Sequence, residues 1–132
     1  MSDLTGSLNN NRNIIWSGIN ALTPSVANSW VASDKFITLQ PGKYILGFKA
    51  DTICKSDVYI ETSMDTKEYL FPYYEKNINM PVSQITTNEG SGRRSVNNAF
   101  LATINAPIEL YFLCNVSNIT AINYELWALK LL

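Results

Sequence analysis

Residues 35–50, KFITLQPGKYILGFKA, contain the clearest β-strand signal in the chain. In the segment QPGK (40–43), Pro41 presets its own φ angle and Gly42 tolerates positive φ, so these residues predict a turn. Apolar and polar side chains alternate in KYILGFKA (43–50), and β-branched or aromatic residues are common on both sides of the turn. This pattern predicts two strands that pair as a β-hairpin.

Other short strand patterns follow along the chain, with turn residues between them. Helical spacing of apolar residues is poor throughout, while β-branched and aromatic residues dominate. The predicted strands are DVYIET (57–62), KEYLFPYYEK (67–76, interrupted by Pro72), VSQITT (82–87), SVNNAFLATINA (95–106), IELYFLCNV (108–116) and INYELWALKLL (122–132). NEGSGRR (88–94) is predicted to be a loop. About eight short strands favour an all-β sandwich or barrel.

The length of 132 residues is typical of a single domain. Residues 1–13 are polar and rich in asparagine, which predicts a flexible arm, because few large apolar groups are present to offset the entropy of ordering it. Residues 14–132 are then one domain. We find no internal repeat within it.

Composition argues against several classes of function. Net charge is −1, whereas a nucleic-acid binder needs a clustered basic surface. The chain has no histidine, which removes Ser-His-Asp and Cys-His mechanisms and the commonest metal ligand. No phosphate loop or nucleophile motif is present, and the carboxylates match no calcium-loop spacing. We therefore expect no enzyme activity, no cofactor and no bound metal.

The sequence also bears on cellular location. The first residues have neither the basic nor the apolar region of a signal peptide, and no apolar run is long enough for a membrane helix. We expect a protein made in a cytoplasm and not inserted into a membrane. Cys54 and Cys114 lie in apolar strand patterns, which favours two buried free thiols; a disulfide between them stays open.

The last two predicted strands are apolar on both faces. In residues 122–132, Tyr124, Leu126 and Ala128 alternate with Trp127 and Leu129. A sandwich core accounts for one face of each strand, so the second face needs another cover. That cover is either a neighbouring subunit or the chain's own N-terminal segment, through Ile14, Ile15 and Trp16.

Three segments, FITLQPGKYILGFKA (36–50), APIELYFLCNV (106–116) and YELWALKLL (124–132), give the sequence a resemblance to the TNF-like jelly roll. This trimeric head domain is shared by complement globular heads and many bacteriophage fibre tips. The resemblance covers roughly residues 35–132. It implies a two-sheet antiparallel jelly-roll sandwich that assembles as a trimer through one sheet.

The double apolar faces identify candidate contacts for such a trimer. Large aromatic side chains with a polar group suit interfaces. The predicted subunit contacts are therefore Tyr111, Leu113, Trp127, Leu129 and Leu131. The residues predicted to fill the sandwich core are Leu110, Phe112, Leu126 and Ala128.

Two pairs of residues are candidates for ligand binding. Tyr73 and Tyr74 belong to an aromatic cluster around Pro72 that could stack on sugar rings; the alternative is a core or interface position. Arg93 and Arg94, at the end of the predicted loop, could bind anionic groups, or could be solvated or paired with carboxylates of a neighbouring subunit.

Together these features favour a non-enzymatic virion protein. It would be a trimeric jelly roll on a phage fibre tip or capsid, bound to other virion proteins through the N-terminal arm. A host-surface glycan is a further candidate partner. The alternative is a stand-alone carbohydrate-binding β-sandwich, which would be monomeric and carry an exposed aromatic platform.

Overall fold

The computed structural model of the protein describes residues 13–54, 58–66, 83–86 and 92–131, and all regular structure in these segments is β-strand. The described segments contain nine strands: β1 Ile14–Trp16, β2 Asn20–Leu22, β3 Trp30–Leu39, β4 Gly42–Cys54, β5 Tyr59–Asp65, β6 Ser83–Thr86, β7 Gly92–Ile104, β8 Ile108–Val116 and β9 Ile122–Lys130.

The strands form two antiparallel sheets packed as a sandwich. The five-stranded sheet has the order β1-β9-β4-β7, with β2 also paired to β9, and the four-stranded sheet has the order β3-β8-β5-β6. Most connections cross from one sheet to the other, and only β1–β2 and β5–β6 stay within one. The predicted all-β jelly-roll sandwich is confirmed. Within the described ranges no helix is long and apolar enough to cross a membrane.

The predicted hairpin around Pro41 is wrong. β3 pairs with β8, whereas β4 pairs with β7 and β9, so the turn carries the chain from one sheet to the other. Buried Tyr44 holds this corner, because its hydroxyl donates a hydrogen bond of 2.6 Å to the carbonyl of Gln40. Turn residues specify a reversal of direction, but they do not specify the sheet to which the returning strand belongs.

The core lies between the two sheets. The four residues predicted to fill it, Leu110, Phe112, Leu126 and Ala128, are fully buried there, so that prediction is confirmed. The rings of Phe112 and Tyr124 stack across the core with their centroids 4.8 Å apart. Burial of this kind stabilises by roughly 1.5–3 kcal/mol per large side chain.

Predicted and observed strand boundaries differ at a few places. The loop predicted for 88–94 is wrong at its end, because β7 begins at Gly92 and pairs with β4 along its whole length. The strand predicted at 67–76 and the arm at residues 1–12 lie outside the described residues.

Candidate assembly surface

The outer face of the five-stranded sheet, on the side away from the core, carries an apolar row across four strands. In the observed register, Leu129 of β9 lies opposite Ile14 of β1 and Ile45 of β4. Ile45 in turn lies opposite Leu101 of β7. Since neighbouring strands are about 4.8 Å apart, this row is roughly 14 Å long.

A second apolar row lies beside the first. Trp127 is paired in register with Trp16 on one side and with Gly47 on the other, and Gly47 is paired with Ala99. The Trp127 ring lies directly over Gly47, where any Cβ would collide with it. The glycine therefore lets the indole lie flat against the sheet. We call these two rows the apolar stripe: Ile14, Trp16, Ile45, Gly47, Ala99, Leu101, Trp127 and Leu129.

β1 extends the apolar stripe at the edge of the sheet and does not cover it. β1 hydrogen-bonds to the edge of β9, so Ile14 and Trp16 lie beside Leu129 and Trp127, with Ile15 packed against the core. Trp16 is 58% exposed and Leu101, at the other end of the stripe, is 64% exposed. Ile14, Ile15 and Trp16 therefore do not lie over the second face of β9, and the rest of the N-terminal segment lies outside the described residues.

Further along the strands the same sheet face is polar. Lys49 lies opposite Glu125, and the next row places Asp51 opposite Asn123. The Asn123 amide donates to the Asp51 carboxylate at 3.4 Å, and the Arg93 guanidinium lies 3.9 Å from the same carboxylate. The face thus has an apolar half near the chain ends and a polar half at the far end of the sheet.

The predicted subunit contacts fall on opposite sides of the sandwich. Trp127, Leu129 and Leu131 share the outer face of the five-stranded sheet. Tyr111 and Leu113 are on the outward side of the four-stranded sheet and are already buried within the single chain, at 8% and 0% exposure. Contact with another subunit would remove almost no further surface from these two.

The environment of Tyr111 fits a role within the chain. Its hydroxyl donates a hydrogen bond of 2.8 Å to Glu109, and its ring lies 5.0 Å from that of Phe36. Burial, followed by the hydrogen bond and the charge of Glu109, raises the pKa of Tyr111. A negative carboxylate beside it disfavours the phenolate, so the hydroxyl acts as a donor.

Only two of the four candidate ligand-binding residues lie within the described residues. Tyr73 and Tyr74 lie outside the described residues. Arg93 and Arg94 are consecutive residues of β7, so their side chains leave opposite faces of the sheet and do not form a joint anion site. Arg93 is exposed beside Asp51, and Arg94 donates to the carbonyl of Arg93 at 3.1 Å.

Groups able to support catalysis or metal binding are sparse in the described part of the chain. No group of three carboxylate, thiol or imidazole side chains in these ranges has the geometry to hold a metal ion. Cys114 is a free thiol inside the core, and burial raises its pKa to about 12. A thiol held in its neutral form is a poor nucleophile.

Several stripe residues were not identified from the sequence. The alternation in residues 43–50 places Ile45 and Gly47 on one face of their strand, but nothing in the sequence pairs them with Trp127. Leu101 follows Phe100, and two adjacent apolar residues do not reveal which one faces the core. These residues form one surface because β4 lies between β7 and β9, and this strand order is seen only in the structure.

Comparisons with known proteins give little support for an assignment. No family model and no curated protein matches the sequence. Among solved structures, the enzymatically active domain of tailspike protein 4 from bacteriophage CBA120 aligns with 94% of this chain at 12% identity and a TM-score of 0.33. This chain spans about a fifth of that one. Similarity at this level supports no inference about function.

Proposed function

We propose that this protein is a non-enzymatic structural module that forms a homotrimer through the apolar stripe and serves in a virion as an attachment component. The stripe is the observation that carries the proposal. It presents two tryptophans and aliphatic side chains on the outside of a chain whose core is already filled between its sheets. The virion role rests on the resemblance to TNF-like jelly rolls.

The size of the exposed side chains argues for a permanent partner. Trp16 and Leu101 are each more than half exposed, and Ile14 is 39% exposed. Burying side chains of this size contributes roughly 1.5–3 kcal/mol each. Contiguous apolar patches on soluble proteins usually mark interaction sites, since they promote aggregation when left open.

The border of the stripe fits a second copy of the same chain. The two rows of the stripe contain no charged residue, and the next row brings one cation and one anion together, Lys49 opposite Glu125. Identical subunits meeting along this row would bring together Lys–Glu pairs of no net charge, whereas the row on the opposite border places Lys43 opposite Thr103. Closed cyclic symmetry is the usual form of homo-oligomers, and in a trimer each contact joins two different parts of the subunit surface.

The position of the chain ends is compatible with attachment. The amide of Lys130 donates to the carbonyl of Asn13 at 2.8 Å, and the amide of Leu131 donates to the carbonyl of Lys43 at 2.7 Å. Residue 13 and residue 131 therefore lie at the same end of the sandwich. In a trimer, three N-terminal arms would leave from this end toward a shared fibre or capsid.

The test is the mass of the full chain in solution. Light scattering at micromolar concentration is expected to give three times the chain mass. Trp16→Glu and Leu101→Glu place a charge at either end of the stripe, at positions that are exposed in the single chain. Each is expected to yield a folded monomer, because assembly would bury an unpaired carboxylate at a cost of several kcal/mol.

Val26→Glu is the matched control, since Val26 is 48% exposed and lies in the connection between β2 and β3, away from the stripe. It is expected to leave the trimer intact. Circular dichroism of each variant separates loss of assembly from loss of folding. A monomeric wild-type chain would overturn the proposal.

The second candidate is a monomeric carbohydrate-binding module, favoured by one observation. Trp16 and the partly exposed Trp127 lie side by side on the outer face of the five-stranded sheet, and aromatic rings on a surface can stack on sugars. A monomer mass combined with quenching of tryptophan fluorescence by saccharides would favour this function over the trimer.

A further inference from the structure

Strand β7 forms one edge of the five-stranded sheet. It spans 13 residues, Gly92–Ile104, and pairs with β4 in an unbroken register along its whole length. Among the described residues, no strand pairs with the other side of β7. An open edge presents backbone amides and carbonyls that an extended segment of another chain can bind, so natural proteins usually protect such edges.

The other edges of the two sheets are short or irregular within the described segments. β1 and β2 have three residues each, and Gly18 between them has a φ of 77°. β6 has four residues. β3 is longer, but its register shifts between Ala32 and Phe36. Asp34 and Lys35, both exposed, add charge at this irregularity. Short strands, bulges and charges are the usual means of protecting an edge.

β7 lacks these features over most of its length. From Ser95 to Ile104 it contains no proline and no charged residue, and its register with β4 has no bulge. Its two charged residues, Arg93 and Arg94, lie together near its start. The stretch from 95 to 104 is therefore a long, regular and uncharged edge.

The hydrogen bonds show which backbone groups of β7 face outward. The Leu131 amide donates to the Lys43 carbonyl, so odd-numbered residues of β4 direct their backbone groups to β9 and even-numbered ones to β7. In the β4–β7 register, even-numbered residues pair with even-numbered residues. The odd-numbered residues of β7 therefore direct their amides and carbonyls to the open edge. Their side chains, from 93 to 103, are exposed on the outer face of the sheet.

Two side chains of β7 contact these outward groups. The Arg94 guanidinium donates to the Arg93 carbonyl at 3.1 Å, and the Asn98 side-chain carbonyl accepts from the Ala99 amide at 3.0 Å. Both contacts join neighbouring residues of the same strand, and both use backbone groups of odd-numbered residues. A strand that pairs with this edge can replace them with ladder hydrogen bonds.

The side chains along the edge define the kind of segment that fits. On the core side, Val96, Phe100 and Ala102 are half-buried and pack against the core. Apolar side chains on an added strand would bury them further, since paired side chains on one face lie about 5 Å apart. On the outer side, the residues from 95 to 103 are uncharged. The fitting segment is therefore extended and uncharged, with apolar side chains at alternate positions.

We infer that the open edge of β7 is a strand-addition site for an extended, uncharged segment of a different protein. The inference rests on the proposed function, because two copies that pair through this same edge need a two-fold axis, which a closed trimer lacks. The outward backbone groups lie in the plane of the sheet, whereas the apolar stripe faces away from it, so one subunit can use both.

The position of the edge suits anchoring to a particle. β7 ends at Ile104, which lies opposite Gly42. The next residue, Lys43, accepts a hydrogen bond from the Leu131 amide at the end of the sandwich where Asn13 also lies. A segment of another virion protein that approaches this end can therefore continue along β7.

The test measures binding of a fluorescent, end-capped peptide of alternating valine and threonine to the full chain by fluorescence anisotropy. With its valines on the core side, an antiparallel peptide directs its threonine amides to β7 and its valine amides away, as the pairing in this sheet requires. N-methylation of the threonine amides is expected to weaken binding about fivefold for each hydrogen bond removed, whereas N-methylation of the valine amides leaves it unchanged. No binding of the parent peptide, or equal affinity of the two methylated peptides, would overturn the inference.

Asn97 offers a matched pair of variants. It is exposed and its amide faces the open edge, so Asn97→Pro removes an outward donor without breaking a hydrogen bond to β4. This variant is expected to bind the parent peptide about tenfold more weakly, because proline lacks the N–H and its ring blocks the approach. Asn97→Ala keeps the amide and is expected to bind like wild type. Equal affinity of the two variants, with folding verified by circular dichroism, would contradict the site. If Asn97→Pro does not fold, the methylated peptides still decide.

Further outcomes identify other occupants. Tighter binding at β7 of a peptide of residues 1–12 would assign the edge to the chain's own arm and overturn the inference of a different protein. A wild-type mass that halves in Asn97→Pro would assign the edge to a second copy, with the same consequence.

Light scattering separates this inference from the proposed function. A trimer that does not bind the parent peptide refutes the strand-addition site and leaves assembly standing. A monomer that binds the parent peptide at β7 refutes assembly and supports the strand-addition site.

Discussion

Among single residues, Cys114 has the most altered chemistry in the described part of the chain. Its side chain points into the core from β8, and desolvation raises its pKa from the ordinary value of 9.0 to about 12. Below pH 9 the thiol is protonated in both the folded and the unfolded chain. Between these two values the unfolded chain loses the proton while the folded chain keeps it. The contribution of Cys114 to stability therefore decreases as pH rises through this window.

We expect a steeper loss of unfolding free energy above pH 9 with Cys114 than with Cys114→Ala. The difference in slope is at most one proton, or about 1.4 kcal/mol per pH unit. Urea denaturation of both proteins from about pH 8 to about pH 10.5 measures it, with Cys54→Ser in both to remove the second thiol. Equal slopes would show that Cys114 ionises alike in the folded and unfolded chain.

The environment of some single residues could be predicted from the sequence. The apolar surroundings of Cys114 predicted a buried thiol, and the structure confirms it. The pairing of Gly47 with Trp127 was not predicted, because the two residues are far apart in the chain and come together only through the β4–β9 register.

Among the strands, β3 shows how an irregular element is held in a sheet. Its pairing with β8 shifts register between Ala32 and Phe36. Within this irregularity the Ser33 hydroxyl donates to the Lys35 carbonyl at 2.6 Å and accepts from the Phe112 amide at 3.1 Å. The amide of Lys35 donates to the hydroxyl of Tyr124, which belongs to the other sheet, at 3.3 Å. Side chains thus satisfy backbone groups that the ladder leaves unpaired.

We expect Ser33→Ala to lower the unfolding free energy by about 1–3 kcal/mol, because it leaves buried backbone groups without their partner. Ser33 is 1% exposed, so water cannot replace the hydroxyl easily. Chemical denaturation measures the change. Ser95→Ala, on the exposed face of β7, is the control and should change stability by less than about 0.5 kcal/mol. Similar losses in both variants would contradict this role for Ser33.

At the scale of the whole molecule, the apolar stripe lies at one end of the five-stranded sheet and the polar rows lie at the other. The jelly-roll path brings the chain ends to one side and the β4–β5 and β8–β9 connections to the other.

The proposed trimer would make thermal stability depend on protein concentration. If the trimer unfolds to separate chains, a tenfold increase in concentration stabilises it by about 2.7 kcal/mol per trimer, so Tm rises. We expect calorimetry to show this rise for wild type and a constant Tm for Trp16→Glu. A wild-type Tm independent of concentration would contradict coupled folding and assembly.

The sequence by itself determined the fold class and most strand positions. These depend on local patterning: period-two alternation, turn residues and β-branched side chains record which residues can lie in a strand. The same information shows that β8 and β9 are apolar on both faces.

Only the tertiary structure decided which sheet each strand joins and what lies beside it. The Pro41–Gly42 turn connects strands of different sheets. Tyr111 and Leu113 lie on the other sheet from Trp127. The surface around Trp127 also includes Ile45, Leu101 and Trp16. Strand pairing depends on the burial of side chains that are distant in the sequence. The alternation of side chains along one strand does not specify which strand pairs with it.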